Sequence, residues 1–268
     1  MTGPSVDVDR YLERIGFRAT PTVDLDTLEA LMRAHLSTVP FENLDVFNRT
    51  GVRTDLDWSS SKVLDQGRGG WCFELNGLFG TLLQALGFNV ARIGAAVLLG
   101  GPATLVDHLT LEVTLEEPYL VDVGFGDGFC RPLALNRRGP QDGGTGDFEF
   151  MPSPQGTTLT RLVDDVPAAL YRFKRVSLAL ADFDRASHRL QTDPEEPFHT
   201  RAFATRHLDG GPDRVTLIGN QLKLQRSGEV TETDVADEDW VDTLEQWFGF
   251  RIEPAGPPDR LAKDTPLV

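Results

Sequence analysis

The sequence predicts an α+β fold in which helices come first, strands follow and the two mix at the end. Three features carry this expectation. Apolar residues recur at helical spacing around 28–36 and again at 75–86. The pattern then switches to strict alternation in HLTLEVTL, residues 108–115. Clusters of Gly, Pro, Asp and Asn punctuate the chain beyond that point, as they do between short strands.

In chain order, Val8 to Gly16 reads as a short helix and Asp26 to Leu36 as a second, with Leu28, Leu31, Met32 and His35 or Leu36 on one face. Pro40 ends the second. From Cys72, the residues Leu75, Leu78, Phe79, Leu82, Leu83 and Leu86 trace a buried helix that stops at Gly87. Val90 to Leu99 is strand-like. In the next strand Leu109, Leu111, Val113 and Leu115 alternate with Thr110, Glu112 and Thr114. Glu116, Glu117 and Pro118 mark a turn before Tyr119 to Val123, which makes an antiparallel hairpin with His108 and residues 122–126 at its open end. Asn136 to Gly146 reads as a Gly-rich surface loop, and strand-like segments follow at Thr157–Val163, Tyr171–Leu180 and Arg214–Leu224. Glu238 to Phe248 is the last expected helix, and the residues beyond it read as a loose tail. No internal repeat is present.

The 268 residues could form one large domain or two to three small ones, each with room for a core. With 26 Lys plus Arg against 41 Asp plus Glu, the formal net charge is −15, and no basic run is present to contact phosphates. Nucleic-acid binding is therefore disfavoured, and any anionic co-substrate must be held by local backbone N–H groups and a few cations. The first 17 residues lack a basic stretch followed by an apolar one, and no segment approaches a membrane span, so a cytoplasmic protein is expected. Cys72 and Cys130 are the two cysteines. Without a CxxC they indicate neither a disulfide framework nor a structural zinc site. His35, His188, His199 and His207 show no metal-ligand spacing, and no metal is expected.

Chemistry concentrates around Cys72. In GRGGWCFELN, Gly69 and Gly70 let the backbone turn sharply before a helix begins at or near the cysteine. A helix N-terminus favours the thiolate, and a neighbouring imidazolium favours it further. A lone cysteine more often behaves as a small buried hydrophobe. The glycines, the helix start and a hairpin presenting His108 and Asp122 together reverse that reading, because a Cys–His–Asp triad needs these three roles. In that triad His108 takes the thiol proton, Asp122 orients the imidazole, and backbone N–H groups stabilise the oxyanion. Taken singly, His108 reads as a polar residue at a strand start and Asp122 as a turn carboxylate. Gly124 and Gly126 either bring backbone close to a ligand or make a tight bend after a strand. Cys130, with no helix start or glycine pair beside it, reads as structural.

Several segments resemble the arylamine N-acetyltransferases: VPFENLD (39–45), RGGWCFELN (68–76), the paired HLTLEV and YLVDVGFG, then LYRF, ADFDRASHRLQTDPEEPF, DRVTLIGNQL and LEQWFGFRI. The resemblance covers nearly the whole chain in the family's order. It implies a papain-like cysteine-enzyme fold with an N-terminal helical bundle carrying the nucleophile (1–88), a central β-barrel carrying the His and Asp (89–205) and a C-terminal α/β lid (206–268). It further implies that acetyl-CoA, a co-substrate and not a tightly bound cofactor, acetylates Cys72. An arylamine, arylhydrazine or arylhydroxylamine then attacks the thioester, with His108 and Asp122 in the other triad positions. Phe41, Val97, Phe125 and Phe198 match positions lining the family's acceptor pocket, although from the residues alone each Phe reads as core. Thr104 matches a position whose backbone N–H contacts the oxyanion or acyl group, and Gly126 one where backbone approaches the cofactor. Trp71 before the cysteine, Asp107 before the histidine and a short 100–107 loop depart from the family pattern. A monomer or homodimer is expected. The same triad would also serve an amide synthase closing an amide bond within a polyketide, a papain-like peptidase, or a binding module that had lost its chemistry.

Overall fold

Short acidic caps start the first helices. In the computed structural model, which describes residues 6–164, 166–193 and 196–258, Asp7 accepts the Arg10 N–H at the start of α1 (Val8–Arg14) and Asp24 that of Thr27 at the start of α2 (Leu25–Thr38). These bonds satisfy donors that have no partner inside a helix. α2 buries Leu28, Leu31, Met32, His35 and Leu36, and His35 reaches the Tyr11 hydroxyl through Nδ1 at 2.8 Å. After Pro40 come β1 (Phe41–Glu42), α3 (Leu44–Phe47) and α4 (Leu56–Ser60), which runs on into one π-helical turn at Ser61–Asp65. α5 (Cys72–Ala85) follows, and every residue from Cys72 to Leu83 is buried. Its end is set by Gly87 at φ +97°, a conformation that disfavours residues with a Cβ.

Five charged side chains are buried where α3, α4 and α5 meet. Lys62 Nζ lies 2.7 Å from Asp45, 3.1 Å from Glu74 and 3.4 Å from Glu42, while Arg68 bonds Glu42 at 2.7 Å and Asp45 at 2.8 Å. Burial opposes the Lys62 charge, and Glu42, Glu74 and Asp45 overcome it. Burial also pushes the Glu74 carboxyl up, in spite of Lys62. Removing one partner strands the others without water. Lys62→Met is therefore expected to lower unfolding free energy by about 3–5 kcal/mol, measured by urea denaturation; an unchanged midpoint would refute the assignment.

The central part is one curled antiparallel sheet. Its strands are β2 (Asn89–Val97), β3 (His108–Thr114), β4 (Pro118–Val121), β5 (Leu133–Ala134), β6 (Gln141–Asp142), β7 (Asp147–Ser153), β8 (Gly156–Val163) and β9 (Val166–Leu178). They lie in the order β5-β4-β3-β2-β9-β8-β7-β6, and register shifts in β2 and β8 against β9 add curvature. The Gln141 side chain joins the two ends, accepting from Ala134 N at 2.8 Å and donating to Ala134 O at 3.1 Å, so the sheet nearly closes into a barrel. The expected surface loop at 136–146 is corrected here: Gln141, 5% exposed, is the staple of the barrel. α5, with Cys72 at its start, packs across β2 and β3.

α6 (Asp184–Thr192) leads to a second sheet of β10 (Phe203–His207), β11 (Arg214–Ile218), β12 (Gln221–Arg226) and β13 (Glu229–Asp234), backed by α7 (Trp240–Phe248). Leu217, Trp240, Leu244 and Phe248 form its own core with Leu44 and Phe47. β1 pairs with β10, so Phe41–Glu42 is an edge of this sheet. Arg214 to Leu224, expected as one strand, is two: the chain reverses at Gly219–Asn220, with Ile218 opposite Gln221. The exposed edge strand β13 carries Glu229, Glu232 and Asp234, which discourage pairing with another chain. The start of the expected loose tail is tied down. Asn48 bonds Glu253 O and Ala255 N, and Ala202 N donates to Pro258 O at 3.0 Å. The rest of the tail lies outside the described residues. No helix among the described residues is long and apolar enough to cross a membrane.

Candidate active site

Cys72 is placed by a backbone that only glycine permits. A Cβ on Gly69 would stand 1.9 Å from Pro40 O, and one on Gly70 2.6 Å from Glu74 Oε2. Glu42 N donates to Gly70 O at 2.9 Å, so the segment before the cysteine lies against β1. Glu74 then accepts the Trp71 N–H at 3.1 Å and fixes the first turn of α5. Cys72 is the first helical residue, 6% exposed, and its Sγ lies 3.9 Å from Asp107 O.

The β3–β4 hairpin brings the partners. His108 opens β3, Asp122 follows β4, and the register pairing Leu111 with Val121 sets them side by side. His108 Nε2 lies 2.6 Å from Asp122 Oδ2, both residues being 2% exposed. With Nε2 taken by Asp122, Nδ1 is the ring nitrogen left for Cys72, whose side chain favours the charged form of the ring. Asp122 accepts three further bonds, from Asn76 Nδ2 at 2.8 Å, Gly124 N at 3.0 Å and Tyr171 Oη at 3.0 Å. Asn76 also donates to Leu109 O at 2.6 Å and accepts from Val123 N at 2.9 Å, clamping both strands of the hairpin to α5. Gly124 passes so close that a Cβ would meet Cys72 Cα at 2.7 Å, so the backbone here packs directly on the start of α5.

The electrostatics follow from these contacts. Burial would raise the Asp122 carboxyl, but His108, Asn76 and the Gly124 N–H outweigh it and hold it below the usual carboxylate range. Burial works against the His108 imidazolium too, yet the Asp122 charge and hydrogen bond, with Cys72, push it up to about 10. The native state thus binds a proton that the unfolded chain releases near pH 6.5. Its stabilisation is fully present below about pH 6.5 and is lost as pH rises through the folded value. The stability gap between wild type and His108→Gln should narrow between about pH 7 and about pH 10 in denaturant titrations. A gap independent of pH would refute this protonation.

Beside the sulfur opens a cavity of about 320 Å³, within the range of small-molecule sites. Phe41, Val97, Phe125 and Phe198 all line it, together with Cys72 and His108. Phe198 stacks edge-on against Trp71, and Phe125 against the His108 ring at 5.3 Å between centroids. Thr104 does not reach the cavity; it lines a separate cleft on the outer face of the barrel with Arg172 and Lys174. Gly126, at φ +85°, lies behind Phe41 and Thr205, and its carbonyl accepts from Arg214. Cys130 is buried, and burial pushes its thiol up. No metal-binding cluster exists among the described residues. Asn76, Tyr171 and the Glu74 cap escaped sequence reasoning. Asn76 was discoverable, four residues after Cys72 and so on the same helical face; Tyr171 carries no local signal.

Comparison with known proteins places these features in context. A family model described as N-acetyltransferase matches residues 24–256. The arylamine N-acetyltransferase of Mycobacterium tuberculosis H37Rv is 33% identical over 97% of this chain and 94% of its own length. That of Escherichia coli K12 is 30% identical over 92% of this chain and 90% of its own. The structure of the Mycobacterium marinum arylamine N-acetyltransferase in complex with CoA superposes with a TM-score of 0.85 at 32% identity, covering 93% of this chain and 95% of that one.

Proposed function

The chain belongs to the arylamine N-acetyltransferase family, and from that premise we propose that it carries an acetyl group from acetyl-CoA, as a Cys72 thioester, to the nitrogen of an arylamine, arylhydrazine or arylhydroxylamine. The observation that carries this reading is the alignment of Cys72, His108 and Asp122 at the foot of an aromatic-walled cavity.

The imidazolium beside Sγ carries the proton that the thiol gives up. The sulfur attacks the acetyl carbonyl carbon of acetyl-CoA, and the oxyanion forms beside backbone N–H groups at the start of α5, which have no partner within the helix. As the C–S bond to CoA breaks, His108 returns its proton to the departing thiolate, and free CoA leaves. The acceptor nitrogen then attacks the Cys72 thioester and neutral His108 takes its proton. Expulsion of the Cys72 sulfur releases the N-acetyl product and restores the starting pair. Phe41, Phe125 and Phe198 give a flat ring apolar walls and keep water from the thioester.

Intact mass after mixing with acetyl-CoA alone tests the scheme: a gain of about 42 Da that vanishes when an arylhydrazine is added marks the acyl-enzyme. Absence of any adduct on Cys72 would overturn it.

A further inference from the structure

The aromatic cavity has one feature that aromatic recognition does not use. Asp107 lines it half-buried, between Val97 and the triad histidine. Its backbone continues the β2–β3 ladder through Asp107 N to Ala95 O at 3.0 Å, and its Oδ1 is pinned by the Val97 N–H at 2.8 Å. Its own carbonyl lies 3.9 Å from Cys72 Sγ, so Asp107 is part of the cavity wall beside the sulfur.

The charges around it decide what it selects. Glu196 also lines the cavity, but it is ion-paired with Arg189. Asp122 is matched by His108. Among the described lining residues there is no Lys or Arg, and Asp107 forms no salt bridge with any described residue; burial pushes its carboxyl up, while the Val97 N–H and the more distant His108 and Arg189 favour its charged form. An aryl carboxylate entering here would bring a second anion into a cavity with largely apolar walls, where like charges repel more than they do in water. A neutral or cationic ring meets no such opposition, and its N–H groups find an acceptor.

Resting on the acetyltransfer reading, we propose that Asp107 is a specificity-determining residue that selects neutral and cationic aryl acceptors and excludes anionic ones. The pinned carboxylate sets the charge that an acceptor may carry, while the aromatic walls set its shape.

A matched pair tests this: 4-aminobenzoate and its methyl ester, compared by kcat/KM with acetyl-CoA as donor. In a two-step transfer the acylation step is common to both acceptors, so the ratio reports the second step alone, and general damage to the protein cancels. As the carboxylate present near neutral pH, 4-aminobenzoate has the more nucleophilic amine, so intrinsic reactivity runs against the expected order. Wild type should favour the ester by about tenfold or more, equivalent to about 1.4 kcal/mol. In Asp107→Asn, which keeps an oxygen for the Val97 N–H, the ratio should collapse toward unity. Equal use of both acceptors by wild type, or a preference unchanged in Asp107→Asn, overturns the proposal while leaving acetyltransfer intact. Failure of both acceptors, with no acetyl adduct on Cys72, overturns the acetyltransfer reading itself.

Discussion

Cys72→Ala is expected to fold normally, to gain no mass from acetyl-CoA and to lose almost all acetyl transfer. The side chain is buried at the first position of α5, and its turn is held by Glu74, Gly69 and Gly70 and not by the sulfur. Losing one sulfur atom is therefore a minor packing defect. Chemically it is total: His108 can still hold a proton and Asp122 can still orient the ring, but no atom remains to accept the acetyl group. Removing the nucleophile of a triad lowers turnover by roughly 10⁴-fold or more, since its members act as a unit. The decisive assay is single-turnover release of CoA thiol, alongside a thermal melt that matches wild type. A variant with substantial remaining transfer would show that the acceptor attacks acetyl-CoA directly, with the triad reduced to a proton relay.

What could be read from the chain, and what could not, follows from how far each signal reaches. α5 was legible because its apolar residues repeat over four turns, and the β3–β4 hairpin because alternation and a Glu-Glu-Pro turn sit side by side. The two residues His108 and Asp122 were legible as a pair because a hairpin of known register brings its ends together. β5 and β6 were not, being two residues each and held by one glutamine side chain in place of a period-two pattern. The turn at Gly219–Asn220 was hidden between two strand-like stretches that read as one, although Gly-Asn between two strands is itself a hairpin signal. The buried network of Lys62, Arg68, Glu42, Asp45 and Glu74 was invisible, because a charged residue in a sequence reads as surface until its partners are known. Asp107 was visible only as a departure from a family pattern; its meaning depends on the cavity charge, which exists only once Glu196 has found Arg189.

Asp122→Asn separates orientation from packing. The two residues have the same shape, but their hydrogen-bonding atoms are not equivalent, and the surroundings choose which way the amide faces. At Oδ1 the donors are Asn76 Nδ2 and Gly124 N, so an amide NH₂ placed there would meet two N–H groups; the oxygen must stay. The NH₂ then occupies the Oδ2 position, facing His108 Nε2 and the Tyr171 hydroxyl. Tyr171 can turn its proton toward Thr110, at 3.5 Å. His108 must instead accept at Nε2, which moves its proton to Nδ1, the side that faces Cys72. The imidazole is left in the tautomer that cannot receive the thiol proton, and the carboxylate that pushes its value up to about 10 is gone. Acylation by acetyl-CoA should fall by roughly 10³- to 10⁴-fold, as expected for a triad histidine held in the wrong tautomer. Alkylation of Cys72 by iodoacetamide should slow as well, while the melting temperature moves little. Acylation within about tenfold of wild type, a change of only 1.4 kcal/mol, would remove Asp122 from the triad and leave it as the hydrogen-bonded anchor of the hairpin.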